Sequence, residues 1–220
     1  MALQITLFPN RGFSIGAAMH HAITSNPSTI DRTVVEDKAG LGRLFSNQYQ
    51  DIDGPNNRSV KVWELQPPQD SIRGTFELTR ASIQKLRGHV LSTVSSDRDL
   101  HLSTFSLACA YTWVCLVKAE ETKEEKTQLV FAADCRSRLH PPIPATYFGN
   151  CITRCLAVVE TQGLSGGEGL VVALTAITEA MKRLEKDGLN GAENWVSRLS
   201  SLRGGRLVAI AGSHRFGVRV

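Results

Sequence analysis

The segment MHHAITSNPSTIDRT, residues 19–33, carries the residues most able to do chemistry. His20 and His21 close an apolar run, and a neutral imidazole is suited to take a proton from a weak nucleophile near pH 7. A general base is usually aimed by a partner, and a carboxylate four positions on would serve. That position is Ser25, whose neutral hydroxyl cannot supply that charge. The alternative for such a histidine is a satisfied structural residue at a strand end. Either the pair is a proton-transfer motif with one piece replaced, or it is no motif.

Other groups are less specific. Arg136 or Arg138, in DCRSRLHPPIP (134–144), could meet phosphate through the two-pronged guanidinium, or one of them could brace the loop by pairing with Asp134. Ser103 and Thr104 precede a helical pattern, where they could cap its N-terminus or touch an anion there. GLSGGEGL (163–170) looks like a phosphate loop but has no following lysine, and is expected to be a flexible loop before a helix. Trp63, Trp113 and Trp195 are read as packing residues. No His/Cys cluster has metal-ligand spacing. Cys151 and Cys155 would share one strand face without companions, so no metal is expected.

The elements that must position these groups follow from periodicity. LQITLF (3–8) and GFSIGAAMHHAI (12–23) read as strands joined by Pro-Asn-Arg-Gly, and residues 24–59 as connection. VKVWEL (60–65) and RGTFEL (73–78) read as short strands. A helix follows from about Arg80 to Leu91, capped by Thr79, with Ile83, Leu86 and Val90 on one face. The plainest helix spans 103–119, with Phe105, Cys109, Thr112, Trp113 and Leu116 on one face. Strands are expected at 127–134 and 149–160, with three prolines keeping 135–144 irregular. Helices are expected at 166–188, ended by Gly188, and at 191–200; LVAIAG and FGVRV read as closing strands. Strands and helices alternate, which makes the class mixed α/β.

With 220 residues and 24.1 kDa, the chain is long enough for a sizeable core. A net charge of +4 spread without a basic stripe argues against nucleic-acid binding. No apolar run approaches a membrane span, and the N-terminus lacks a signal-peptide pattern, so a cytoplasmic protein is expected. Five cysteines, an odd number without C-x-x-C, fit a reduced compartment, and Cys109 and Cys115 read as small buried hydrophobes.

The segment FAADCRSRLHPPIPATYFGNC (131–151) resembles the plant acyl-CoA-dependent acyltransferases called BAHD enzymes, whose signature is His-x-x-x-Asp. QITLFPNRGFSIGAAMHHAI (4–23), DRTVVEDKAGL (31–41), LSTFSLACAYTWVCLVKA (102–119) and RLVAIAGSHRFGV (206–218) agree in the same order. The likeness is strongest to the clade acting on anthocyanin and other phenolic glucosides. It implies a partial two-domain, chloramphenicol-acetyltransferase-like fold with mixed sheets flanked by helices. Residues 1–50 would be a remnant of the N-terminal domain, 51–70 the interdomain connection, and 71–220 most of the C-terminal domain.

The resemblance implies transfer of a malonyl or hydroxycinnamoyl group from a coenzyme A thioester to a sugar hydroxyl, with acyl-CoA as co-substrate and no bound cofactor. His21 would be the base, Ser25 would occupy the position of the family's structural aspartate, and Arg136 or Arg138 would meet the phosphates near the coenzyme A channel, with Ser103 and Thr104 as further candidates from their place at a helix N-terminus. A monomer is implied. In the family, Asp-Gly and a helix follow the catalytic histidine, whereas here HHAI runs into TSNPSTIDRT. That reads as an internal deletion. The family's closing Asp-Phe-Gly-Trp-Gly motif and the first part of its N-terminal domain are also not in the chain, so truncation at both ends is expected. The expectation is a chain without acyl transfer above a His21→Ala control, and the alternative to an enzyme is a non-catalytic relative that at most binds ligand or a partner chain.

Overall fold

The computed structural model describes residues 2–8 and 12–18 as backbone, together with 74–95, 98–140, 142–143, 151–189, 191, 194 and 205–211. His21, Ser25, Trp63, Trp195, the strand expected at 60–65, the connection at 24–59 and nearly all of the helix expected at 191–200 lie outside the described residues.

Two contact units divide the chain: 1–36 with 143–150, and 37–142 with 151–220. In the first, β1 (Ala2–Phe8) and β2 (Gly12–Ala18) pair antiparallel, Ala2 opposite Ala18 and Phe8 opposite Gly12. The three residues 9–11 link them, Pro9 being the one that could not donate to a ladder.

The second unit builds a mixed sheet and covers it with helices. Helix α1 (Arg80–Thr93) starts where Thr79 Oγ1 accepts the Ser82 N–H at 3.1 Å, and it buries Ile83 and Val90. Helix α2 (Thr104–Ala119) is capped by Ser103. Strand β3 (Lys126–Asp134) leads into a single 3₁₀ turn, Arg136–Arg138, and the chain returns as β4 (Ile152–Glu160). A short helix, α3 (Thr161–Ser165), precedes α4 (Gly169–Lys186), and β5 (Arg206–Ile210) completes the sheet.

The sheet order is β4-β3-β5, with β4 antiparallel and β5 parallel to β3. This is the α/β class, mixed sheet and flanking helices included. Cys151, Thr153, Cys155 and Ala157 alternate on the buried face of the β4 stretch, while Ile152 and Val158 face out, as period-two geometry requires. Thr127, Leu129 and Phe131 supply the same face of β3. Trp113, Leu107 and Val117 of α2 and Leu174, Ile177 and Leu184 of α4 join them in one core.

Four expectations need correction. RGTFEL is not a strand: residues 74–79 join no ladder, and Phe76 is 92% exposed. A strand is only as stable as its pairing, which local propensity cannot supply. The helix expected from 166 begins at Gly169, because GLSGGEGL is divided among the end of α3, a tight turn at 166–168 and the start of α4. A Cβ at Gly169 would lie 2.1 Å from the Leu164 carbonyl oxygen, so the two helices pack at glycine distance. The segment 135–144 holds one regular turn, at Arg136–Arg138, before its first proline. On α2 the buried stripe runs through Ser106, Cys109, Ala110, Trp113 and Val117; Thr112 and Cys115 are exposed. The whole helix is so apolar that spacing alone does not fix which side faces the core.

Candidate functional site

Helix α2 runs antiparallel to β3. Phe105 near its start meets Phe131 edge-to-face with centroids 5.7 Å apart, and the Trp113 indole one step down donates to Thr127 Oγ1 at 2.9 Å. The N-terminus of α2 and the C-terminal end of β3 therefore reach the same end of the layer. Ser103 and Thr104 stand at that start of α2, and Arg136 and Arg138 follow that end of β3.

Ser103, Arg136 and Arg138 each have a structural partner. Ser103 Oγ accepts the Ser106 N–H at 3.1 Å and shares a 2.9 Å hydrogen bond with the Ser106 hydroxyl, which is N-capping in full. Thr104 is the first helical residue and is exposed. The Asp134 carboxylate accepts the Arg136 backbone N–H at 2.9 Å and its guanidinium at 3.0 Å. Arg138 Nη1 donates to the Asp134 backbone carbonyl at 2.6 Å. Arg136 therefore makes the bracing pair with Asp134, while Arg138 holds only the backbone carbonyl of that residue in this turn. Arg136 spends charge on a half-buried carboxylate. Arg138 is bound by a neutral carbonyl and keeps its charge uncompensated in that contact.

The turn is fixed from outside as well. The backbone of Gly188, just past α4, lies so near that a Cβ there would be 2.6 Å from the Arg138 carbonyl oxygen. Asp187 caps the following loop, its carboxylate accepting N–H groups of Leu189 and Gly191 at 3.1 and 3.0 Å. The sequence reading placed a helix stop at Gly188 but missed its contact with the arginine turn, which depends on pairing between segments 50 residues apart.

Cys135 and Cys151 were also missed as a pair. They close the β3–β4 register just beyond Asp134 opposite Ile152, with sulfurs 3.3 Å apart. Their mirrored positions at the ends of two consecutive strands were a usable signal. Burial, then the hydrogen bond to Cys151, pushes the Cys135 thiol up to about 12. Burial alone raises Cys109 to about 11, and burial also dominates at Cys155, likewise about 11, against a lowering pull from Arg138 and Arg183. These are thiols held protonated at neutral pH. Among the described residues, no group of three or more His, Cys, Asp or Glu could hold a metal ion, and no helix is long and apolar enough to cross a membrane.

Residues 47–208 match the model of the Transferase family. The chain belongs to the BAHD transferase family. A phenolic glucoside malonyltransferase of Nicotiana tabacum is 30% identical to it over 97% of this chain and 53% of the relative. A malonyl-CoA:anthocyanidin 5-O-glucoside-6''-O-malonyltransferase of Arabidopsis thaliana is 31% identical over 99% and 56%. The crystal structure of vinorine synthase is similar with a TM-score of 0.44 and 21% identity, covering 60% of this chain and 30% of that one. The chain spans about half the length of the curated relatives it matches. The tobacco alignment is 249 positions long against a chain of 220 residues, so that relative carries internal residues which this BAHD chain lacks.

Proposed function

We propose that this protein carries the BAHD acyl-CoA-dependent O-acyltransferase architecture for malonyl or hydroxycinnamoyl transfer to a sugar hydroxyl of an anthocyanin, flavonoid or other phenolic glucoside, with turnover impaired in this chain. The observation that carries it is the family match over 47–208, alongside relatives named for malonyl transfer to phenolic and anthocyanin glucosides. His21 is the base that would take the hydroxyl proton as the thioester carbonyl is attacked. Ser25 stands where the aiming carboxylate belongs. Arg138, Arg136, Ser103 and Thr104 are the candidates for the coenzyme A phosphates, at one end of the layer. Residues 1–50, 51–70 and 71–220 serve as N-terminal remnant, connection and C-terminal domain, in a cytoplasmic monomer that binds neither nucleic acid nor membrane.

Two observations favour a second reading, a non-catalytic relative. Ser25 removes the charge that would hold the histidine, and a catalytic group misplaced by about 1 Å can already cost on the order of 100-fold. The aligned relatives also contain internal residues absent here, and the family match begins only at residue 47, which supports a deletion between His21 and that point.

Coenzyme A release from malonyl-CoA and coumaroyl-CoA, with an anthocyanin glucoside as acceptor, tests both readings. No turnover above a His21→Ala control is the expected result. Turnover abolished by His21→Ala would overturn the impairment and establish a working transferase. Acyl-CoA binding without turnover supports the non-catalytic relative, and loss of both would remove the coenzyme A assignment.

A further inference from the structure

Cys135 and Cys151 face each other where β3 ends and β4 begins. Their sulfurs lie 3.3 Å apart, and the Cys135 N–H donates to the Cys151 carbonyl at 3.0 Å. The antiparallel register thus extends one pair past Asp134 and Ile152. Opposed residues in such a ladder keep their Cα atoms about 4.5–5.5 Å apart. That falls inside the roughly 4.4–6.8 Å that a disulfide spans. Only the sulfurs need to move to close the bond.

The setting distinguishes this pair from the other cysteines. Cys109 and Cys155 are buried elsewhere in the core, and Cys115 is exposed on α2. Cys135 and Cys151 are 3% and 7% exposed, so each is far more accessible to the other than to any reagent in solution. The segment they bracket begins with Arg136 and Arg138.

We propose that Cys135 and Cys151 are a redox-modifiable pair which forms a reversible disulfide on exposure to a peroxide, covalently closing the base of the 136–150 segment. Hydrogen peroxide transfers one oxygen to the first sulfur: the O–O bond breaks, an S–OH forms and water leaves. The second thiol gives up its proton, its sulfur attacks the sulfenic sulfur, and a second water departs as S–S forms. Two thiols and one peroxide become one disulfide and two waters. A small thiol such as glutathione reverses it in two exchange steps, leaving as its own disulfide. Because both sulfurs are buried, the first step waits on local opening and is slow, while the second is fast once the sulfenic acid exists.

Closing a loop of this size in the unfolded chain raises Tm by roughly 5–10 °C for a protein of this length. The full chain is treated with hydrogen peroxide, alkylated, digested without reduction and mapped by mass spectrometry; Cys115→Ser, which removes the exposed thiol, is treated in parallel. Both are expected to yield a peptide pair linked through Cys135 and Cys151, an intact mass lower by two hydrogens, and a Tm rise reversed by dithiothreitol. Recovery of both cysteines as alkylated thiols or as sulfinic acids would overturn the proposal. So would a Tm rise that persists in Cys151→Ala, since no intramolecular bond to Cys135 at that position is then possible.

Discussion

The indole N–H of Trp113 donates to Thr127 Oγ1 at 2.9 Å, and both residues are fully buried. This one bond joins the middle of α2 to the start of β3, and Thr127 Oγ1 in turn donates to the Arg206 carbonyl at 3.3 Å on β5. Helix, central strand and parallel edge strand therefore share a single hydroxyl.

Thr127→Val removes that hydroxyl at nearly constant volume and strands a buried indole N–H. A destabilisation of about 1–3 kcal/mol is expected. Pairing it with Trp113→Phe should cost less than the two single changes together, because the orphaned donor is gone in the double variant. Urea unfolding of the four chains closes the cycle; strict additivity would show that the bond carries no coupling.

Gly188→Ala is expected to cost about 1–3 kcal/mol, since the new methyl meets the Arg138 carbonyl oxygen at 2.6 Å and backbone must yield. Hydrogen exchange should quicken at Arg138 and Leu139, whose amides bond the Cys135 carbonyl. Gly88→Ala, where nothing lies within 4 Å of the added carbon, is the control and should be neutral or stabilising within the helix.

Glu120 and Arg206 form a two-pronged pair from the end of α2 to β5, and the hydrogen bonds from Arg206 hold the Glu120 carboxyl below its usual value. A carboxyl depressed in the folded state adds stability above its unfolded value, about 4.3, and loses it as pH falls through the folded value beneath. Both side chains are more than a third exposed, or nearly so, and screening keeps the contribution under about 1 kcal/mol. Glu120→Gln should therefore be slightly less stable than wild type at pH 7 and converge with it as pH falls below the folded value. A constant gap across that range would count against the pair.

The two arginines of the 3₁₀ turn should separate in binding experiments. Arg136 is committed to Asp134, so Arg136→Ala is expected to loosen the turn and lower stability. Arg138 donates to the backbone carbonyl of Asp134, a neutral partner, and if it meets a coenzyme A phosphate as proposed, Arg138→Ala should weaken coenzyme A binding about tenfold, the loss of one charge-assisted hydrogen bond. Calorimetric titration of each variant decides; equal losses for both would assign the effect to the turn as a whole.

Ser25→Asp restores the His-x-x-x-Asp spacing and is expected to leave activity unrestored. Pro27 disfavours helical backbone at Asn26, so a carboxylate at 25 meets an extended chain where the family continues into a helix. Assay beside a chain with the family's post-histidine segment grafted in gives the comparison. Rescue by the single change would show that charge, not architecture, was missing.

Helices α1 and α2 were legible because capping and periodicity are local: Thr79 and Ser103 announce their starts in the chain itself. β3 and β4 were legible through alternation. RGTFEL was misread because its composition suits a strand while residues 74–79 join no ladder among the described residues, and pairing is a property of the fold. The direction of α2's buried stripe was ambiguous for the opposite reason, too many apolar positions. At the candidate site, the flanks of His21 pointed to the family and the Asp134 brace was legible because it spans two to four residues, but the Gly188 contact and the Cys135–Cys151 pair depend on approach between segments distant in the chain.

The sheet order carries a consequence for biosynthesis. β3 pairs on one side with β4, which follows within the next few dozen residues, and on the other with β5, Thr127 opposite Arg206. Antiparallel neighbours close early, whereas a parallel partner so distant in sequence must wait on loop closure and on the helices between. On the ribosome the central strand therefore spends the synthesis of α3, α4 and the residues after them with one edge unpaired. That interval is when Leu129 and Phe131, silent in the finished core, make the nascent chain a client for chaperones.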